Sequence, residues 1–253
     1  MVLELWHYPL LFLVGLVAGI VDAVAGGGGL ITVPALLNLG LPVPLALGTN
    51  KFQSSFGSVS ATRHFVRVGA VNLRECRLGI LMTLFGALLG AFAVQQIDAE
   101  LLRHVVPWLL AGILLYTLLR PAIGTKEHPA KWGTTPFYIA FGLGLGFYDG
   151  FFGPGTGSFW AISIVLVLGQ NFTRATAAAK VMNATSNLAA LALFAAAGQV
   201  HIAAGLSMAA GQVVGGRLGA GLVVTRGARF IRPVFLIMVT LTLARLLWVS
   251  YGE

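Results

Sequence analysis

The sequence predicts an all-α polytopic membrane protein made of two inverted-topology repeats, each with a glycine-broken helix and half-helix hairpin plus three full transmembrane helices. Composition, an internal repetition and the distribution of basic loops predict this fold. Of the 253 residues, 57% are hydrophobic and only 9% are charged, whereas a soluble domain carries about a quarter charged residues. The chain therefore belongs in a bilayer, and no soluble domain is left over.

The internal repetition is a short stretch that occurs twice, at residues 19–29 and 146–157. Each copy begins as an apolar helix, carries one aspartate and then becomes a run of glycines. Asp22 and Asp149 are 127 positions apart, and the glycines at 26 and 28 match those at 153 and 155 at the same offset. We therefore expect one structural unit to be used twice.

The first repeat, residues 1–120, divides into apolar segments at about 8–25, 30–39, 45–66, 78–94 and 105–119. The run at 30–39 is too short for a bilayer, which needs roughly 20 apolar residues. It is expected to be a half-helix or one arm of a re-entrant hairpin. The segment at 8–25 resembles a signal peptide but has no basic residue before it, so we interpret it as a retained helix.

The second repeat, residues 134–253, follows a linker at 121–133 that is expected to be cytoplasmic. Its predicted segments are 137–152, 158–168, 173–197, 201–224 and 233–249. Beyond the half-helix the offset between the repeats becomes 129, which aligns Lys51 with Lys180. Glycines spaced by four in segments 78–94 and 201–224 predict close helix packing.

Loop charges indicate how the two repeats are oriented. The loop at 63–77 is strongly basic, whereas its partner at 196–204 has no lysine or arginine; the nearly balanced loop at 95–104 has a basic partner. Basic loops face the cytoplasm, so equivalent loops face opposite sides, as in an inverted repeat. The net charge of +8 is therefore a property of loops and does not indicate a nucleic-acid partner.

The glycine turns are candidate anion sites. A turn between two helices frees backbone N–H groups, and the start of the following half-helix adds a positive dipole end. The alternative is that the glycines only permit a tight hairpin. The candidate residues are Gly26, Gly27, Gly28, Gly29, Gly153, Gly155, Thr156 and Gly157.

Each repeat also carries a lysine at the head of a polar stripe. Spacings of three, four and seven place each stripe on one helix face, which predicts a lined cavity. The alternative is a lysine that snorkels to the surface beside hydroxyls that pack helices. The stripes and their neighbours are Thr49, Asn50, Lys51, Ser54, Ser55 and Ser58, and Lys180, Asn183 and Asn187.

Asp22 and Asp149 are costly inside a membrane unless they are paired or protonated. They are candidates for proton coupling, or for a structural role in bonding glycine N–H groups. The five histidines are scattered and show no metal-ligand spacing, and no nucleophile with an acid–base pair can be assembled. We expect no metal, no cofactor and no enzymatic activity.

Two pairs of motifs resemble a known family. They are Asp22-x3-Gly26-Gly27-Gly28-Gly29 with Leu47-Gly48-Thr49-Asn50-Lys51, and residues 149–157 with Ala177-Ala178-Ala179-Lys180-x2-Asn183-x3-Asn187. In these motifs the chain is similar to the sulfite exporter family of TauE/SafE type. The resemblance covers essentially the whole chain. It implies a multi-pass bacterial inner-membrane permease for sulfur-containing anions such as sulfite or organosulfonates.

The residues themselves also favour a small oxyanion as the transported partner. A cell interior is electrically negative, so expelling an anion is downhill by about 2.3 kcal/mol per charge per 100 mV. The first hypothesis is therefore an exporter that works by alternating access. Alternatives are a proton-coupled importer that uses the two aspartates and a non-transporting assembly subunit. The sequence leaves a homo-oligomer open.

Overall fold

The computed structural model describes residues 4–98, 100, 101, 108 and 129–226. Helices account for all regular structure in these residues, which confirms the all-α prediction. The predicted segments at 105–119 and 233–249, and most of the linker, lie outside the described residues. The helices with described bounds are α1 His7–Ala25, α2 Gly29–Asn38, α3 Val43–Arg67, α4 Arg77–Gln95, α5 Thr134–Phe151, α6 Thr156–Leu168, α7 Phe172–Ala196 and α8 Ile202–Arg226.

The first glycine run separates α1 from the short helix α2. Gly26 has a positive φ of 69°, a left-handed conformation that glycine adopts without steric cost, and this ends α1. Its N–H donates to the Asp22 carbonyl at 2.8 Å. Helix α2 then has only 10 residues, which confirms the predicted half-helix.

The second glycine run separates α5 from α6 in the same way. Gly153 and Gly155 have φ values of 99° and 84°, so the chain turns sharply before Thr156 begins α6. The helix thus begins two residues earlier than the predicted start at 158. Gly155 is the N-cap residue of α6 and has a left-handed conformation, so the turn ends there and the helix begins at the next residue, Thr156.

Glycine ridges bring two pairs of helices into close contact, α1 with α8 and α4 with α5. A Cβ on Gly15 would lie 2.9 Å from the Met208 carbonyl carbon, and one on Gly219 would lie 2.5 Å from the Ile20 oxygen. Residue numbers rise together along this contact, so α1 and α8 run in the same direction. The predicted small-residue packing is therefore confirmed for the segment that became α8.

The outer faces of the described helices are apolar. On α4, the exposed large side chains Leu81, Phe85, Leu89 and Phe92 follow one another at spacings of three or four residues, so they share one helix face. Helices α1 and α4 are long and apolar enough to cross a membrane, judged by length and composition. The fold therefore offers apolar surface outward, as lipid contact requires, while Lys51, Asp149 and Lys180 are buried.

The contact between α4 and α5 gives a stability prediction with a matched control. A Cβ on Gly146 would lie 2.7 Å from the Thr83 oxygen, whereas one on Gly144 meets nothing within 4 Å. Gly146→Ala should therefore destabilise the protein by about 1–3 kcal/mol through overpacking. Gly144→Ala, on the same helix, should be neutral or stabilising by up to about 1 kcal/mol. Thermal unfolding of both variants in detergent tests this, and equal effects would contradict the packing.

Candidate functional site

The two glycine turns touch each other in the interior. A Cβ on Gly26 would overlap the backbone of Gly157, and the Ser158 hydroxyl donates a hydrogen bond to the Ala25 carbonyl. A Cβ on Gly29 would lie 3.0 Å from Pro154 Cα. The breaks in the two halves therefore meet at one place, and glycine is required there because any side chain would hold the turns apart.

The first ion pair lies beside this contact. Lys51 Nζ on α3 is 2.7 Å from Asp149 Oδ1 near the end of α5, and the side chains are 1% and 4% exposed. Lys51 also donates to the Asp149 backbone carbonyl, and the Ser186 hydroxyl on α7 donates to Asp149 Oδ2. All the oxygens of Asp149 are thus engaged by donors from two other helices.

The second ion pair is the counterpart of the first. Lys180 Nζ on α7 is 2.9 Å from Asp22 Oδ2 on α1, with side chains 1% and 15% exposed. Asp22 Oδ1 accepts from the Gly28 N–H at 3.2 Å. Asp22 therefore bonds the glycine turn, as one of the sequence alternatives proposed, and also neutralises a lysine.

Each ion pair joins the two halves of the chain. The sequence separation is 98 residues for Lys51 and Asp149 and 158 residues for Lys180 and Asp22. Because both lysines are almost completely buried, the alternative of lysines snorkelling to the surface is wrong. In this conformation each lysine ammonium is bound by a carboxylate.

The two pairs are offset along the helices. Ser186, which contacts Asp149, is six residues beyond Lys180 on α7, so they are roughly 9 Å apart along the helix axis. Helices α3 and α7 are antiparallel, because Gly48 near the start of α3 contacts Phe194 near the end of α7. The two pairs are therefore contacted from positions nearly two helical turns apart on α7.

The turn glycines leave room for the lysine ammonium groups. A Cβ on Gly157 would lie 3.1 Å from Lys180 Nζ and 2.9 Å from Asn183 Nδ2. A Cβ on Gly153 would lie 3.0 Å from Asp149 Oδ1. Asn183 Oδ1 is buried and has no hydrogen-bond partner, so this side chain still has an unused polar atom beside Lys180.

Several predicted residues are engaged with the backbone rather than with the ion pairs. The hydroxyls of Thr49 and Ser55 donate to carbonyls one turn earlier on α3, at 2.6 and 2.7 Å. Ser58 does the same, at 2.7 Å from the Ser54 carbonyl, and Thr156 donates to the Gly153 carbonyl at 2.6 Å. These hydroxyl protons are used locally, whereas Asn187 is buried on the stripe that follows Lys180.

Asn50 connects the half-helix α2 to α3. Its Oδ1 accepts from the Thr32 hydroxyl at 2.6 Å and from Gln53 Nε2 at 2.9 Å, and the Ser54 hydroxyl completes the cluster. Thr32 also donates to the Gly28 carbonyl. The cluster therefore links the predicted stripe to the first glycine turn.

The sequence reasoning missed Ser186, Thr32 and Gln53. Ser186 lies three residues after Asn183 and therefore continues the polar face of α7, a signal that was available. Thr32 lies on an apolar half-helix, and Gln53 lies two residues after Lys51. The position of neither residue in the sequence indicated which side chain it would contact.

A cavity of about 190 Å³ lies one helical turn from the first ion pair. Leu47, four residues before Lys51 on α3, lies in its wall. Leu47 belongs to the same apolar cluster as Phe152, so apolar side chains separate the cavity from the charges. The lining residues are Pro44, Leu47, Val94, Gln95, Ile97, Phe194 and Gln199.

The single cysteine gives no sign of reactive chemistry. Cys76 is buried just before α4, and burial raises the pKa of its thiol, which favours the protonated form. The described residues contain no cluster of three or more His, Cys, Asp and Glu side chains able to hold a metal. The two lysine–aspartate pairs are therefore the buried charged groups from which the candidate site is built.

Comparison with known proteins assigns the chain to a family. The family model described as sulfite exporter TauE/SafE matches residues 11–246. The chain belongs to this family. Such proteins are membrane transporters, and nothing in the family points to catalysis. The resemblance noted from the paired motifs is thereby confirmed.

Bacterial relatives are similar over almost their full length. The probable membrane transporter protein YfcA of Escherichia coli K12 is 44% identical, over 96% of this chain and 90% of its own. A probable membrane transporter protein of Haemophilus influenzae is 45% identical, over 94% of each chain. A sulfite exporter TauE/SafE family protein of Arabidopsis thaliana is 27% identical over 51% of this chain and 28% of its own. No solved structure matches the chain.

The ion pairs give a prediction about stability. Lys51→Met leaves the buried Asp149 carboxylate without its cation, which should lower the free energy of unfolding by about 3–5 kcal/mol. The double variant Lys51→Met/Asp149→Asn removes both charges and should recover most of that loss. Urea or thermal unfolding in detergent measures both. A double variant no more stable than Lys51→Met would show that the pair does not act as a unit.

Proposed function

We propose that the protein is a multi-pass permease of the bacterial inner membrane that exports small sulfur-containing oxyanions, such as sulfite or organosulfonates. Transport proceeds by alternating access at a midplane site between two inverted-topology repeats. The observation that carries this proposal is the contact of two glycine turns with a buried lysine beside each. Its family membership supports transport as the activity.

The inverted arrangement is supported by the relation between matched helices. Helices α3 and α7 carry the aligned lysines and run antiparallel, which is expected of units related by an axis in the membrane plane. Each lysine finds its aspartate in the opposite half. We propose residues 1–120 and 134–253 as the repeats, joined by a cytoplasmic linker at 121–133.

The aspartates indicate which ligand chemistry suits the site. The Asp22 carboxylate is held by a lysine ammonium and a glycine N–H, and the Asp149 carboxylate by a lysine ammonium and a serine hydroxyl. Sulfite and sulfonate groups are also compact anions with several acceptor oxygens, so the same donors fit them. The oxyanion replaces the carboxylate at each lysine in turn, with Asn183, Asn187 and the remaining turn N–H groups completing its coordination.

Flux of sulfite through purified protein in liposomes tests this function. The double variants Lys51→Met/Asp149→Asn and Lys180→Met/Asp22→Asn remove one anion site each without leaving an unpaired buried charge, so both should fold and both should lose sulfite efflux. Lys131→Met, at an exposed position, is the control and should transport normally. Sustained efflux through either double variant would remove that lysine from the pathway. Inactive wild-type protein would instead favour an assembly subunit.

A second candidate, a proton-coupled importer, is favoured by the ion pairs themselves. Two lysines and two aspartates form a neutral site, and an added anion leaves a buried negative charge unless a proton accompanies it. If this holds, an inward proton gradient should drive sulfite accumulation in liposomes without a membrane potential, and Asp149→Asn should abolish the dependence on the gradient. Efflux that follows the membrane potential alone would support the uncoupled exporter.

A further inference from the structure

The two ion pairs differ in the neutral group that donates to the carboxylate, which is the Ser186 hydroxyl for Asp149 and the Gly28 N–H for Asp22. Asp149 accepts from the Ser186 hydroxyl in addition to Lys51. The residue 129 positions before Ser186, at the offset that aligns the lysines, is Gly57 on α3, which has no side chain. Asp22 therefore lacks the hydroxyl donor that its counterpart has.

The space at Gly57 is taken by an amide from another helix. Gln212 on α8 lies so close that a Cβ on Gly57 would overlap its Oε1, and the same oxygen is 3.0 Å from a Cβ built on Gly19 of α1. Gly19 is three residues before Asp22, and residues at this spacing are neighbours on one helix face, about 5–6 Å apart. The Gln212 amide thus lies beside Asp22, where a serine equivalent to Ser186 would point.

The amide of Gln212 has no partner in this conformation. The residue is 1% exposed, and among the described residues it is the one amide whose nitrogen and oxygen are both shielded from solvent and both lack a hydrogen bond. An unpartnered buried amide is unfavourable, whereas an apolar side chain of the same shape is not. A second state in which the amide gains a partner would offset that cost.

We propose that Gln212 is a positioning residue that receives Asp22 when an oxyanion takes its place at Lys180. The carboxylate leaves the ammonium and keeps the Gly28 N–H, and the Gln212 amide turns so that its Nε2–H, rather than the Oε1 that now lies against Gly57, donates to the carboxylate. No unpaired charge is left behind. Gln212 thus does in one state what Ser186 does permanently for Asp149. This inference rests on the proposed anion transport.

The variant Gln212→Met tests the role, with sulfite as the probe. Without the amide, displaced Asp22 has no second donor, so the half-saturating sulfite concentration should rise about tenfold, the range expected for a hydrogen bond to a charged group. Maximal flux should stay near the wild-type value. The thermal midpoint should not fall, because the amide makes no hydrogen bond in the resting conformation. A purely structural glutamine would show the reverse, with lower thermal stability and unchanged half-saturation.

The other half of the chain supplies the matched control. Thr83 on α4 is 129 positions before Gln212 and fully buried, and among the described residues its hydroxyl donates a hydrogen bond to the Met182 sulfur alone, at 3.5 Å. Thr83→Val should leave half-saturation unchanged. The double variant Gly57→Ser/Gln212→Thr copies the Ser186 and Thr83 arrangement into the first half, and it should restore the wild-type value that Gln212→Thr alone loses.

The outcomes separate this inference from the function on which it rests. Failure of Lys180→Met/Asp22→Asn to reduce flux would overturn the anion site itself. Loss of flux in that variant, together with normal half-saturation in Gln212→Met, would overturn only the role of Gln212. An equal rise in Thr83→Val, or a stable double variant that shows no rescue, would also reject it.

Discussion

Two buried ion pairs, each of which joins one half of the chain to the other, constrain the rest of this structure. Each buried lysine is tolerated because a carboxylate from the opposite half lies within hydrogen-bond distance, so the charges are compensated between the two halves. Apolar packing alone would allow helices to slide or separate. The pairs fix which helices meet and at what depth, so they link the association of the halves to the chemistry of the site.

The glycines make this arrangement sterically possible. At Gly26 and Gly153 a positive φ ends one helix and turns the chain toward a shorter one. At Gly157 the missing side chain admits both the opposing turn and the lysine ammonium. A single residue type therefore provides the break, the close contact and, at Gly28, a backbone N–H for the Asp22 carboxylate.

The same interactions suit a transporter because they can be exchanged. In the proposed function, a small oxyanion competes for the ammonium, glycine N–H and serine hydroxyl donors that hold the two carboxylates in this conformation. Besides its ammonium, each carboxylate accepts from one neutral donor, which is the Ser186 hydroxyl for Asp149 and the Gly28 N–H for Asp22. In the proposed role of Gln212, its buried amide supplies Asp22 with the side-chain donor that Gly57 cannot provide.

The sequence by itself determined the helical class, the half-length helix α2, the two aligned glycine turns and the buried polar stripes. These features follow from composition, helical period and glycine spacing, all of which act over a few residues. Only the tertiary structure decided that each lysine binds an aspartate, and that Thr49 and Ser55 use their hydroxyls within α3. Partners separated by 98 and 158 residues are selected by how whole helices pack, and periodicity within one helix carries no information about the helix it will face.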